Sequence, residues 1–178
     1  PPDLNQLSLE ELMQIEVPVV YGATRHEQQT SWAPASISIL TREDIRNYGY
    51  RNLGEALSSL AGVHLADDRN YSYLGVRGFL RHDYMSRILL LVDGHRVNEN
   101  MFDSFYVGAD ELVDVDLAET IEFIRGPGSS LYGASAFFGV VNVRTRTAAG
   151  INGIEASAEA GSFDSYKGRA TLGKVLRS

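Results

Sequence analysis

Between Ile154 and Leu172 the chain alternates apolar and polar residues with a period of two, and does so twice. Ile154, Ala156, Ala158 and Ala160 alternate with Glu155, Ser157 and Glu159. After a break at Ser162 to Ser165, Tyr166, Gly168, Ala170 and Leu172 alternate with Lys167, Arg169 and Thr171. A period of two is incompatible with a helix and dictates paired strands with one apolar and one polar face. Strands of about ten residues with this pattern build the hairpins of transmembrane β-barrels. The same pattern serves an amphipathic hairpin on a soluble sheet, and alternation alone leaves both open.

Upstream the pattern changes. Residues 1–34 read as a flexible segment, with a short helix over Leu7 to Ile15 capped by Ser8 and Glu11. It is followed by the extended, proline-interrupted run Glu16-Val17-Pro18-Val19-Val20. From Ala35 a folded unit begins. Ile37 and Ile39 mark a strand, and Thr41 with Asp44 caps a short helix. Asn52 and Glu55 cap a second helix whose Leu53, Ala56, Leu57 and Leu60 fall on one face, with Gly62 as its stop. Val63 and Leu65 begin another strand, Asp67 to Tyr73 reads as a loop, and Leu74 to Arg77 as a strand. Ile88 to Val92 reads as a buried strand joined through the turn Asp93-Gly94 to His95-Arg96-Val97. Thr120 to Arg125 and Val140 to Thr145 complete the set. The reading is an α+β unit, a small mixed β-sheet with short flanking helices, over residues 35–147. The hairpin follows over residues 148–178.

Little in the sequence supports catalysis or metal binding. Gly128 and Gly133 have P-loop spacing, but Ala134 stands where the phosphate-holding lysine belongs. His26, His64, His82 and His95 lack ligand spacing, and no cysteine is present. The acidic run Asp110, Glu111, Asp114, Asp116, Glu119 and Glu122 has no glycine at the calcium-loop position and reads as a solvated face. No G-x-S-x-G elbow occurs. A net charge of −7 argues against a nucleic-acid partner. No run approaches the ~20 apolar residues of a membrane helix. Pro1-Pro2-Asp3-Leu4 is no signal peptide, so export is either absent or its signal removed. Tyr71, Tyr73, Phe79, Tyr84, Phe102, Phe105 and Tyr106 fall in predicted loops. They either bury those loops on the domain or form a ligand-contacting surface.

One ordered series of motifs is more specific. Ser38-Ile39-Leu40-Thr41-Arg42-Glu43-Asp44-Ile45 is followed by Leu60-Ala61-Gly62-Val63 and Val76-Arg77-Gly78-Phe79. Then come Leu89-Leu90-Leu91-Val92-Asp93-Gly94-His95-Arg96-Val97-Asn98 and Ile121-Glu122-Phe123-Ile124-Arg125-Gly126-Pro127. Leu131-Tyr132-Gly133 and Gly139-Val140-Val141-Asn142-Val143 close the series. In order and spacing it resembles the plug domain of TonB-dependent outer-membrane receptors, over about residues 16–147. Ala61 departs from the proline common in the family.

The resemblance implies a gate inside a barrel of about 22 strands. That gate would serve active uptake of a scarce nutrient such as a metal chelate or vitamin, in the outer membrane of a Gram-negative bacterium. Its N-terminal segment would face the periplasm. The energising partner TonB would grip Glu16, Val17, Pro18, Val19 and Val20 as an added strand. Arg77 and Arg125 would pair with carboxylates of the cognate barrel. The small-molecule ligand would meet Arg69, Asn70, Tyr71 and Tyr73 from one loop, and Asn100, Met101, Phe102 and Tyr106 from another. No cofactor, metal or enzymatic activity is implied. Gly126, Gly128, Gly133 and Gly139 would let the plug pack closely yet move. Two strands cannot close a barrel, so the chain reads as part of a larger receptor. The alternative is a free-standing periplasmic binding or interaction domain with a plug-like fold.

Overall fold

A computed structural model describes residues 19–20, 28–29, 36–79, 85–108, 110–128, 132–133, 135–162 and 164–175. The helix expected over Leu7 to Ile15, the positions Glu16 to Pro18, and Tyr84 lie outside the described residues. Strands β1 (Val19–Val20) and β2 (Gln28–Gln29) pair antiparallel. The folded unit then runs β3 (Ser36–Thr41), α1 (Arg42–Tyr48), α2 (Leu53–Ser58), β4 (Val63–Asp67), β5 (Ser72–Val76), β6 (Ile88–Val92) and β7 (His95–Arg96). A 3-10 turn (Val115–Leu117) leads into β8 (Ala118–Arg125) and β9 (Gly139–Thr145). Helix α3 (Ala148–Ile151) connects these to β10 (Gly153–Gly161) and β11 (Ser165–Gly173). The main sheet has the order β3-β8-β9-β6-β7; β6 and β9 are parallel and the other neighbours antiparallel. Strands β4 and β5 form a separate hairpin, as do β10 and β11.

Local chemistry accounts for the helix ends. The Thr41 hydroxyl accepts from the Asp44 amide, and the Asp44 carboxylate accepts from the Thr41 amide, closing α1 at its start. Asn52 caps α2 as expected, accepting from the Glu55 amide at 2.9 Å. The Glu55 carboxylate, however, turns to the amide and guanidinium of Arg51. Gly62 does not stop α2, which ends at Ser58 with Ser59 as its cap. Two tight turns through Leu60 carry the chain on, and the Gly62 carbonyl instead accepts from Arg77 at the foot of the β4–β5 hairpin. Asp93 (φ 50) and Gly94 (φ 79) form the expected two-residue turn, with the Asp93 carboxylate holding the amide and hydroxyl of Thr145.

The main sheet is covered on both faces. Leu40, Ile121, Phe123, Val141, Val143, Ile88 and Leu90 pack against Ile45 of α1, Leu53, Ala56 and Leu57 of α2, and Phe105 and Val107. On the other face Leu89, Leu91, Ile124 and Val140 meet Ala136 and Tyr132. Those two residues belong to the glycine-rich connection between β8 and β9, which folds back on itself. Gly126 donates to Phe138 and Gly128 to Ala136. Gly126 (φ 117) and Gly133 (φ 83) need left-handed backbone. Gly128 and Gly139 need space: a Cβ on Gly139 would lie 2.8 Å from both the Ile124 carbonyl and the Phe123 ring. Buried in the middle of the same face, the Asn142 amide donates to Glu122 at 3.2 Å.

The terminal hairpin is inverted relative to a soluble one. Its apolar side is the exposed side: Ile154 is 80% exposed, Tyr166 77% and Leu172 71%. Its polar side faces the preceding folded unit. Glu155 takes a bidentate pair from the buried Arg146, both contacts at 2.6 Å, and lies 3.7 Å from Arg42. Lys167 reaches Asp114 at 2.9 Å and Asp116 at 3.4 Å, with Arg169 alongside. The connection is short and tight. Thr147 caps α3, and Gly173 of β11 packs so closely that a Cβ there would meet Ile151 at 2.5 Å.

Candidate functional site

Two loops carry the expected ligand-contact residues, and each is built on a carboxylate. In the β4–β5 turn, Asp67 accepts from the Arg69 amide at 2.6 Å, and Asp68 from the amides of Asn70 and Tyr71 at 2.9 and 2.8 Å. Such side-chain acceptors fix a turn that has no ladder of its own, and Arg69 sits there at φ 76. Beyond β7, Glu99 accepts from the amides of Met101 (2.7 Å) and Phe102 (2.5 Å) and from the Ser104 hydroxyl. These donors, Met101 first, hold the Glu99 carboxyl below its usual range. Buried Asn98 anchors the loop from inside, accepting from Leu90 and donating to the Ile88 and Asp103 carbonyls.

The two loops meet. The rings of Tyr71 and Tyr106 lie 6.5 Å apart with a 30° tilt, and the Ser72 side chain abuts Gly108. Around this pair Met101 is 79% exposed, Phe102 51% and Tyr71 43%, and Arg69 and Asn100 are also exposed. The surface combines aromatic and thioether area with a few polar groups, the make-up of a specific small-molecule site. Tyr73 corrects the expectation. It lies within β5 rather than in the loop and is buried in the main core, its hydroxyl donating to Asp68. Phe105 is likewise core, 1% exposed. Their alternation with polar loop neighbours hid both.

The expected latch arginines are neighbours. Arg125 projects from the end of β8, half-buried over the Phe123 ring at 5.6 Å. Its burial, and then the charge of Arg77, lower its affinity for a proton. Arg77 is exposed, at φ 54 in the turn after β5. Among the described residues no carboxylate lies within ion-pair distance of either. Of the expected partner-binding strand, Val19 and Val20 are described, already paired with Gln29 and Gln28.

That Asp114 and Asp116 serve the hairpin was not legible beforehand, since an acidic run looks like any solvated face. The available signal was complementary: Lys167 and Arg169 share the polar side of the last strand.

Residues 29–140 match the family described as TonB-dependent Receptor Plug Domain. The chain is 34% identical over 148 residues to the vitamin B12 transporter BtuB of Vibrio cholerae serotype O1, covering 82% of this chain and 23% of that protein. It is 36% identical over 132 residues to the iron-regulated outer membrane virulence protein of the same organism, covering 72% of this chain and 20% of that protein. The ferripyoverdine receptor of the outer membrane of Pseudomonas aeruginosa shares the fold, with a TM-score of 0.67 at 20% identity over 86% of this chain and 19% of that one. The chain thus spans about a fifth of the length of these relatives.

Proposed function

The chain belongs to the TonB-dependent receptor plug family, and from that premise we propose that it is the gate of an outer-membrane receptor for active uptake of a scarce nutrient, a metal chelate or a vitamin. The observation that carries this beyond family membership is the inverted hairpin. Its charged side is consumed by Arg146, Asp114 and Asp116 of the plug, while Ile154, Tyr166 and Leu172 face outward. That is the arrangement of a first barrel stave, with a polar lumen inside and lipid outside. A free-standing periplasmic domain would leave this apolar face in water.

On this reading the domains divide at residues 34 and 147. The joined loops around Tyr71 and Tyr106 meet the nutrient, with Arg69, Asn100, Met101 and Phe102 at their margin. Arg77 and Arg125, facing no carboxylate among the described residues, take theirs from the barrel wall. In a confined interface such pairs fix position more than they add stability. Residues 16–20 are the strand that TonB grips. The β1–β2 pairing supports this, because it shows Val19 and Val20 adopting strand geometry.

The test is binding of a TonB C-terminal domain to the chain with and without residues 1–22, together with energised uptake by the complete receptor. Removal should abolish both and leave nutrient binding intact. Equal affinity for the two chains would remove the segment from the mechanism.

A further inference from the structure

Two hydroxyls connect the first strand of the plug to one of its latch arginines. Strand β3 is the edge of the main sheet and, among the described residues, pairs with β8 alone. In that ladder Ser36 lies opposite Arg125 and Ser38 opposite Phe123. The Arg125 guanidinium reaches back across it, donating from Nη1 to the Ser36 hydroxyl at 3.2 Å and from Nη2 to the Ser38 hydroxyl at 2.6 Å. Its buried Nε finds no acceptor among the described residues. The side chain is therefore held on two sides, by the Phe123 ring beneath it and by β3 beside it. Any load applied to the N-terminal segment enters the folded unit through β3, the first strand of the main sheet.

We propose that Ser36 and Ser38 are positioning residues for Arg125: they aim its guanidinium while β3 is seated, and withdrawal of β3 takes both acceptors away and frees the arginine to leave its barrel partner. The contact thereby makes release of the latch conditional on movement of the strand that is pulled. This rests on the plug reading above, and it assigns a task to two serines that the motif pattern leaves as ordinary polar positions of a strand. A hydroxyl is required, and it must stand on β3. Shape alone is not sufficient.

Valine and threonine separate hydroxyl from shape, since both are β-branched strand formers and differ only in the oxygen. The complete receptor, without its energising partner, is treated with a vicinal dicarbonyl reagent, and modification of Arg125 is followed by peptide mass spectrometry. The pair Ser36→Val with Ser38→Val should raise the modification rate at least about tenfold, the scale of either one of the two hydrogen bonds to a charged group that it removes. The pair Ser36→Thr with Ser38→Thr should behave as the native protein. Hydrogen exchange at Ile37 and Ile39 should be equally slow in both, showing that β3 is seated. Energisation should then expose Arg125 in the native and threonine forms and produce no further change in the valine form. Equal modification of the valine and threonine forms overturns the proposal. A separate arm keeps the two ideas apart. If Arg125→Gln leaves energised uptake by the complete receptor unchanged while the valine–threonine difference persists, the latch reading fails and the positioning contact stands.

Discussion

Replacing Glu111 with Gln should abolish most of the loss of stability that this domain suffers as pH rises from 4.5 to 7. Glu111 is largely buried beside the start of α2, where its carboxylate accepts from the Leu53 amide at 2.5 Å. Burial pushes the carboxyl up from 4.5 to about 7, with Asp114 adding to the effect and the Leu53 amide and Lys167 opposing it. The sign follows from linkage. The folded state keeps this proton up to about 7 while the unfolded chain releases it near 4.5, so stability falls through that window and is flat on either side. At about 1.4 kcal/mol per pH unit the ceiling is about 3 kcal/mol. The side chain is partly open to water, and screening brings the expected loss to about 1–2 kcal/mol. Glutamine keeps the oxygen that Leu53 needs and cannot ionise. Urea unfolding of native and Glu111→Gln chains across the window should show the variant gaining about 1–2 kcal/mol on the native protein between its two ends. Parallel curves, or a gap that moves the other way, would refute the assignment of that loss to a buried carboxyl.

Gly139→Ala places a methyl 2.8 Å from the Ile124 carbonyl and the Phe123 ring, and should cost about 1–3 kcal/mol by overpacking. An unchanged urea midpoint would show that the sheet yields there. Phe105→Ala, at a position 1% exposed, should cost about 3–5 kcal/mol. Phe102→Ala, at a position 51% exposed, should stay within about 0.5 kcal/mol in melting of the chain yet weaken nutrient binding by the complete receptor. A large drop in melting temperature for Phe102→Ala, with binding kept, would make its loop structural.

Elements whose signals are local were legible in the sequence. The Thr41–Asp44 cap and the Asp93-Gly94 turn follow from residue chemistry at fixed short spacing, and both stand where expected. So do the two alternating strands at the end, whose register pairs Ala156 with Ala170. The faces of the loops were not legible. Tyr71 and Tyr73 would share a face of one strand, but the strand begins at Ser72, so Tyr73 enters the core while Tyr71 stays in the turn, 43% exposed. Loop composition cannot locate that boundary. The partners of Asp114 and Arg146 were equally hidden. Lys167 arrives at Asp114 from the last strand, and Glu155, though close in sequence to Arg146, reaches it only because α3 turns the chain back. The proposal of Arg77 and Arg125 as latches came from motif resemblance, and the fold adds that they are neighbours and that Ser36 and Ser38 already occupy Arg125.

The edge position of β3 also bears on how such a gate resets. Removing this strand breaks one ladder among the described residues, that with β8, and uncovers Leu40. The pairings β8–β9, β9–β6 and β6–β7 do not run through β3 and keep their register without it. Return is then the zipping of a tethered strand onto a standing template, not the refolding of a domain. Its natural timescale is that of hairpin closure, on the order of microseconds, whereas building sheets from distant strands takes milliseconds or longer. If the chain is the gate proposed above, a hinge on its outermost strand would let it open and shut again without refolding the rest of the sheet.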